Sequence, residues 1–485
     1  MANFLFDTVI VGGGSTGATL ARALAEDGRQ AIALLEAGPR DDHPDIGDLF
    51  RYRDVLRGPL TLWLPTVATG DNNPAVAYPQ SPVLGGCASH NSGIWFRPPD
   101  SDFIHWESLG ARGWGPVHVG PLFEQLERDV RPESLEMCGE AIAAIDTAVR
   151  AAGYRDVTFR HPFGEGYGPY RLSKRGTDRR SASKVYLGTV PSNLALFLET
   201  PAERLLVEGR RATGVVTHRG TFHARRQVVL AAGAFQTPKL MMQSGMGPAD
   251  LLRSLGIAVV HDLPDVGRHF LDHPAATVSF ETRRPITGLG AWRSAGVLFA
   301  RIDREAPWPD IEVQPAAEAY NGAEGQFTAD GFCCYMTINR ARSEGVVQLR
   351  SASPADELLI EPRFYSDPEG YDIRIMREAI RLARRMFVSH GLNGFLGTEI
   401  APGASITSDD EIDHFIRSTV TTGYHPAGTC AIGRVVGSDL RVLGIDGLVV
   451  ADASVFPAMV SVNINATCMM IGLKAAELLR QAPYG

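Results

Sequence analysis

The chain has 485 residues, too many for one ordinary core and enough for two or three domains. Hydrophobic residues make up 44% and charged residues 21%, which excludes a disordered chain. The net charge of −8 argues against a nucleic-acid partner, and no apolar run approaches the roughly 18 residues of a membrane span.

The start, MANFLFDTVIVGGG, runs straight into a motif and leaves no room for a signal peptide. Phe6 to Val11 is a short apolar run rich in β-branched residues, the pattern of a buried strand. Gly12, Gly14 and Gly17 then spell GxGxxG, with Ser15 and Thr16 inside it, and Ala18 to Ala25 continues at helical spacing. The next strand, AIALLEAG, ends at Glu36 and Ala37, with Glu36 19 residues beyond Gly17. Strand, glycine turn, helix and acid together form a dinucleotide fingerprint. Glycine lets a pyrophosphate reach the helix N-terminus, and the acid accepts hydrogen bonds from ribose hydroxyls. An acid there disfavours NADP but does not separate NAD from FAD.

Residues 40–135 read as loop-rich and hold LGGCASHNSG, residues 84–93. Its single imidazole, His90, could be a ligand, a base, a covalent anchor or a bystander. RQVVLAAGAFQTPKLMMQSGMGP (226–248) reads as strand, turn and helix, a second approach of backbone to the same cofactor, at Gly233. DVGRHFLDHP (265–274) reads as a loop. Residues 275–400 bring strand-like pieces such as GVVQLRS and an amphipathic helix, YDIRIMREAIRLARRMF, whose arginines read as a solvated face. SDDEIDHFI opens a helix with a capping box from Ser408 to Glu411. The chain closes with a strand, an irregular loop and a helix. No internal repeat is present. Cys87, Cys138, Cys333, Cys334, Cys430 and Cys468 lack paired metal spacing, so no metal site is expected. Most read as small core residues of a reducing compartment, with the cytoplasm as the default.

The fingerprint, LGGCASHNSGIWFRPPDSDF, GAFQTPKLMMQSGMGP, VGRHFLDHP, YHPAGTC and DASVFPAMVSVNINATCMMIG occur in the order found in the glucose–methanol–choline (GMC) oxidoreductases. The chain resembles that family along nearly its whole length and is most similar to its choline oxidase-like members. The resemblance implies FAD and an α/β (α+β overall) fold. A Rossmann-like FAD-binding domain, 1–135, 190–270 and 421–485, would carry an inserted substrate domain, 136–189 and 271–420, built on a large antiparallel sheet. It also implies oxidation of an alcohol to a carbonyl.

Alcohol oxidation moves a hydride from carbon to the flavin and must also remove the hydroxyl proton. That calls for a base titrating near neutrality or a donor that stabilises the alkoxide. The chain has 13 histidines, so residue type alone selects none. His425 stands between Tyr424 and Pro426 in a glycine-rich run and matches the family's active-site histidine. Asn463 falls at the second catalytic position. The neighbouring Asn465 reads as a helix cap that also borders the cofactor, together with Thr467. Asp452 and Ala453 reach the cofactor in the family, although Asp452 could simply cap a turn.

By the same resemblance, Leu84, Gly85, Gly86, Asn91 and Ser92 would lie along the flavin, with Ser92 also facing substrate. His90 would be covalently bound to the flavin C8α methyl. Ala88 replaces a serine common in the family. Trp63, Tyr424, Glu312 and Glu318 are candidates for the substrate side, the two glutamates equally as surface carboxylates. Arg340 stands where choline oxidase-like members are expected to carry histidine, and the chain is shorter by tens of residues, mainly after Arg131. A small or medium primary alcohol other than choline, amino- or sugar-bearing, is the expected substrate. Oxygen or another acceptor would reoxidise the flavin, and a homodimer is compatible with all of this. Two other functions compete: a hydroxynitrile lyase that keeps FAD only as scaffold, and an NAD-dependent dehydrogenase.

Overall fold

The computed structural model describes residues 2–70, 73–290, 292–321, 326–328 and 331–481. Its first sheet begins with the strand Ala2–Val11, whose inner end is fully buried at Val9 and Ile10. Parallel neighbours are Ile32–Leu35 and then Leu194–Phe197 on one side, and Gly220–Leu230 on the other. Leu448–Val450 adds a further parallel strand beside Gly220–Leu230. Arg211–Thr217 and Ala202–Glu208 complete the sheet as an antiparallel extension. The helix Ser15–Ala25 packs on this sheet through Leu20, Ala21 and Leu24, all fully buried. Each of the two leucines contributes roughly 1.5–3 kcal/mol on burial.

Four parallel strands end side by side, at Val11, Leu35, Leu230 and Val450. The loops leaving them carry Gly12 to Gly14, Glu36, Gly233 and Asp452. Ligands of open parallel sheets bind outside the carboxyl ends of the strands, so this edge is where a dinucleotide belongs.

A second sheet is antiparallel, in the order Leu396–Ala401, Pro274–Thr282, Phe332–Ile338, Ile311–Ala316, Val297–Ala300, Gly166–Gly168. Side chains alternate across it. Phe332, Cys334, Met336 and Ile338 join a core with the helices Glu140–Ala151 and Tyr371–His390. Cys333 and Tyr335 point the other way, into a cavity between the sheets. The short strand Thr421–Thr422 pairs with Pro274 and Ala275, which sets the loop after Thr422 beside His273.

One reading of local structure needs completing and one needs correction. Residues 40–135 are loop-rich as read, but they also hold the helices Asp100–Ser108 and Pro116–Val130, whose Phe103, Trp106, Leu122 and Phe123 are buried. The arginines of Tyr371–His390 are not simply solvated. Arg377 pairs with Asp409 and Asp413, Arg381 with Glu378 and Asp409, and Arg384 with the buried side of Glu399. The capping box at Ser408 forms as read, with Glu411 closing it. The six cysteines are free thiols, four of them buried and two, Cys87 and Cys138, exposed. Among the described residues no helix is long and apolar enough to cross a membrane, and no cluster of three metal-ligating side chains occurs.

Candidate active site

A single elongated cavity of about 1140 Å³ runs from the fingerprint loop to His425. Ordinary small-ligand pockets span roughly 300–1000 Å³, so there is room for a large cofactor with a small substrate beside it. Gly12, Gly14, Ser15 and Thr16 line one end, with Glu36 and Ala37. Gly12 has φ 103°, and a Cβ there would lie 2.4 Å from the Ala231 carbonyl oxygen. A Cβ on Gly17 would lie 1.9 Å from the Gly12 oxygen, so this glycine serves the turn and does not line the cavity. The Glu36 carboxylate accepts the N–H groups of Gly13 at 2.8 Å and Gly38 at 3.0 Å. Burial raises its pKa to about 7 against the lowering by these bonds. Ser15 donates to Asn465 Oδ1 at 2.7 Å, which ties the N-termini of two helices to the same wall.

The loop 84–93 forms the next wall. Gly86, His90, Asn91 and Ser92 line the cavity. Leu84 and Gly85 do not; they brace the fingerprint from behind, with the Gly85 N–H on the Gly13 carbonyl at 2.8 Å. A Cβ on Gly86 would stand 2.9 Å from Gly14 Cα, so the two glycine loops touch backbone to backbone. Nothing in the sequence pointed to Arg179, which supports this loop. Its guanidinium donates to the carbonyls of Ala88 at 3.0 Å, Asn91 at 2.7 Å and Ile46 at 3.0 Å. Burial draws it down to about 9.

Gly233, Asp452, Ala453 and Asn465 line the opposite side. The Asp452 carboxylate takes the N–H of Gly233 at 2.9 Å, the Thr237 hydroxyl at 2.6 Å and the N–H of Ser454 at 2.8 Å. The capping role considered for Asp452 is therefore real, and the residue borders the cavity as well. Thr467 is fully buried, does not line the cavity, and its hydroxyl has no partner among the described residues.

At the far end His425 and Asn463 come together, with Asn463 Nδ2 3.2 Å from His425 Nε2. On its other side His425 Nδ1 lies 2.9 Å from His273 Nδ1, and His273 Nε2 lies 2.9 Å from the Val460 carbonyl oxygen. A carbonyl only accepts, so His273 Nε2 carries a proton and its Nδ1 a lone pair. His425 must then donate from Nδ1, leaving the lone pair of Nε2 directed at Asn463 and the cavity. Burial, and then His273, hold His425 well below the ordinary histidine range. Burial pushes His273 down to about 4.

Asp272, buried beneath both rings, fixes their backbones. It accepts the N–H of His273 at 2.7 Å and of His425 at 2.9 Å, the Tyr78 hydroxyl at 2.7 Å and the Thr422 hydroxyl. Asp272 and His273 were in view only as part of VGRHFLDHP; the adjacent acid and imidazole were the available signal.

The substrate side departs from expectation in three places. Glu312 does not line the cavity. It lies on the cavity-facing side of its strand, but Gln314 covers it and donates to it at 2.8 Å, and burial raises it to about 7. Glu318 does line the cavity, held bidentately by Arg53 at 2.6 and 2.7 Å. Arg340 points away, onto Asp102, Ser101 and Ser461, so it places no charge against a substrate. Trp63, 46% exposed, sits at the rim, and Tyr424 lines the wall beside His425.

A dinucleotide cradle at the carboxyl ends of parallel strands, opening onto a histidine with a directed lone pair, defines an oxidoreductase of the cofactor-binding α/β class. The chain belongs to the GMC oxidoreductase family, which its residues 6–275 and 341–472 match. It is 35% identical to choline oxidase of Arthrobacter globiformis, over 99% of this chain and 95% of that one. It is 33% identical to an oxygen-dependent choline dehydrogenase of Brucella anthropi, over 97% and 95%. The crystal structure of pyridoxine 4-oxidase from Mesorbium loti superposes with a TM-score of 0.91 at 26% identity, over 99% of this chain and 100% of that one. The chain is thus a flavin oxidoreductase acting on an alcohol-type donor.

The family's FAD suits the residues present. Glycines at 12, 14 and 86 keep the floor free of Cβ atoms, two helix N-termini face the cavity, and Glu36 lines the same end of it.

Proposed function

We propose that the chain oxidises a primary alcohol to the aldehyde, with His425 as base and Asn463 as its partner. Bound FAD supplies the hydride acceptor. The alcohol hydroxyl displaces the direct contact between Asn463 Nδ2 and His425 Nε2, donates its proton to the imidazole and accepts from the amide. Removing that proton as hydride departs raises electron density on the oxygen, and the Asn463 donor steadies the developing alkoxide. His273 takes the Nδ1–H of His425 and keeps Nε2 facing substrate. The observation that carries this reading is the directed lone pair of His425, at 3.2 Å from an amide donor in the wall of the cavity.

The cofactor contacts follow the cradle: Ser15, Thr16 and Gly14 at the pyrophosphate, Glu36 at the ribose, and Gly86, Asn91 and Ser92 along the ring. His90 is the covalent tether to FAD. The substrate is a small or medium primary alcohol other than choline, amino- or sugar-bearing. Glu318, the carboxylate lining that end among the described residues, is already matched to Arg53 and so is not a free counter-ion for a quaternary ammonium. The names of the relatives, choline oxidase and pyridoxine 4-oxidase, support an alcohol donor and oxygen as acceptor. Free thiols in all six cysteines support a reducing compartment such as the cytoplasm.

Anaerobic mixing with a panel of primary alcohols tests the reading. At least one should bleach the visible flavin band within a turnover. If none does while a cyanohydrin is cleaved, the chain is a lyase. Acid precipitation tests the tether: flavin should stay in the protein pellet, and yellow colour in the supernatant would contradict it.

A further inference from the structure

His90 has a partner on a different segment. Thr61 Oγ1 lies 3.2 Å from His90 Nδ1, and both side chains are buried. The same hydroxyl lies 2.9 Å from the carbonyl oxygen of Val55. A carbonyl only accepts, so the hydroxyl proton goes to Val55 and the Thr61 oxygen remains as an acceptor. The proton of the neutral His90 ring therefore sits on Nδ1, and Nε2 keeps its lone pair. The ring stays neutral because burial, and then the nearby Arg179 charge, push it down to about 3.

Resting on the reading of His90 as the flavin tether, we propose that Thr61 is the positioning residue for that attachment. It fixes the Nδ1–H tautomer and thereby commits Nε2 as the nucleophile. In the attachment a bond forms between Nε2 and the C8α carbon, and one C8α–H bond breaks. The C8α proton and the Nδ1 proton are released, and the isoalloxazine ring gains the electron pair and two protons. Dioxygen then reoxidises the ring and leaves as hydrogen peroxide. Once Nδ1 has lost its proton it can only accept, and the Thr61 hydroxyl turns from Val55 to donate to it. A hydroxyl serves both states; a side chain without one serves neither.

The test compares wild type, T61V, T61S, T61A and H90A, sampled through a time course after induction. The readout is the covalent share of bound flavin, by intact mass and by acid precipitation, with non-covalent flavin and the melting temperature measured alongside. Loss of one buried hydrogen-bond partner is expected to slow covalent incorporation about tenfold in T61V, while T61S stays within about twofold of wild type. T61A removes the hydroxyl without added bulk and carries the comparison if T61V fails to fold. Normal incorporation in both T61V and T61A would overturn the proposal while leaving the tether intact. An equal loss in T61S would also overturn it, because packing and not the hydroxyl would then be responsible. A wild type with no added flavin mass would instead refute the tether itself.

Discussion

Asn463 and His425 meet at 3.2 Å, amide nitrogen to imidazole Nε2, although 38 residues separate them in the chain. The contact gives the imidazole a direction. His273 claims the Nδ1 side, so the basic nitrogen has one place to act, at the cavity wall.

Replacing that nitrogen should be costly. H425A is expected to lower kcat/KM by about 10²–10⁴-fold with flavin content unchanged, the usual contribution of a positioned base. In the wild type His425 is held below the ordinary histidine range, so it is neutral from mildly acid pH upward. A profile of kcat/KM against pH should be flat above about 6.5 and fall only in acid. An acid limb centred above the ordinary histidine value would contradict the assignment.

H273L leaves the Nδ1–H of His425 buried with no acceptor. Such a group costs about 1–3 kcal/mol, or roughly 5–150-fold if the loss falls on the transition state. The expected signature is a lower kcat with little change in KM and full flavin content. A fall in flavin content alone would assign His273 a structural role only.

Glu312 gives a test by stability. Its pKa rises from 4.5 to about 7 on burial. A group raised in the folded state stabilises fully below its unfolded pKa, and that contribution is lost as pH rises toward the folded value. The loss runs from pH 4.5 to about 7 and then levels off. E312Q removes the titration, so its stability relative to wild type should grow across that window by about 3 kcal/mol. Denaturant titrations at several pH values measure this. A constant difference would mean that Glu312 is ionised throughout.

Gly86 and Gly28 both have positive φ, 55° and 66°. A Cβ on Gly86 would meet Gly14 at 2.9 Å, whereas one on Gly28 would meet nothing within 4 Å. G86A should therefore lose most of its bound flavin. G28A should lose about 1 kcal/mol of stability and keep its flavin. The flavin-to-protein absorbance ratio of each purified variant decides it. Equal flavin loss in both would point to backbone strain, not to closure of the cradle.

Much of the molecule was legible in one dimension. GxGxxG after a short apolar run and 19 residues before an acid is a local pattern, set by turn geometry and helix periodicity. The capping box at Ser408 and Glu411 was legible for the same reason. His425 and Asn463 were found by motif order. Their contact, and the tautomer that gives it meaning, depend on His273 and Asp272, which reach them through the pairing of Pro274 with Thr422. Glu312 failed as a cavity residue because strand alternation selects a face and not a depth: Gln314 covers it. Arg340 failed because Asp102, far back in the chain, takes its charge.

The sequence by itself determined the glycine fingerprint, the order of the family's motifs and which histidine stands as the proposed base. These depend on short-range spacing and residue chemistry. Only the tertiary structure decided which nitrogen of His425 is free, that Thr61 and Arg179 stand behind His90, and which of Glu312 and Glu318 lines the cavity. Hydrogen-bond direction and burial arise between distant segments, and no local pattern encodes them.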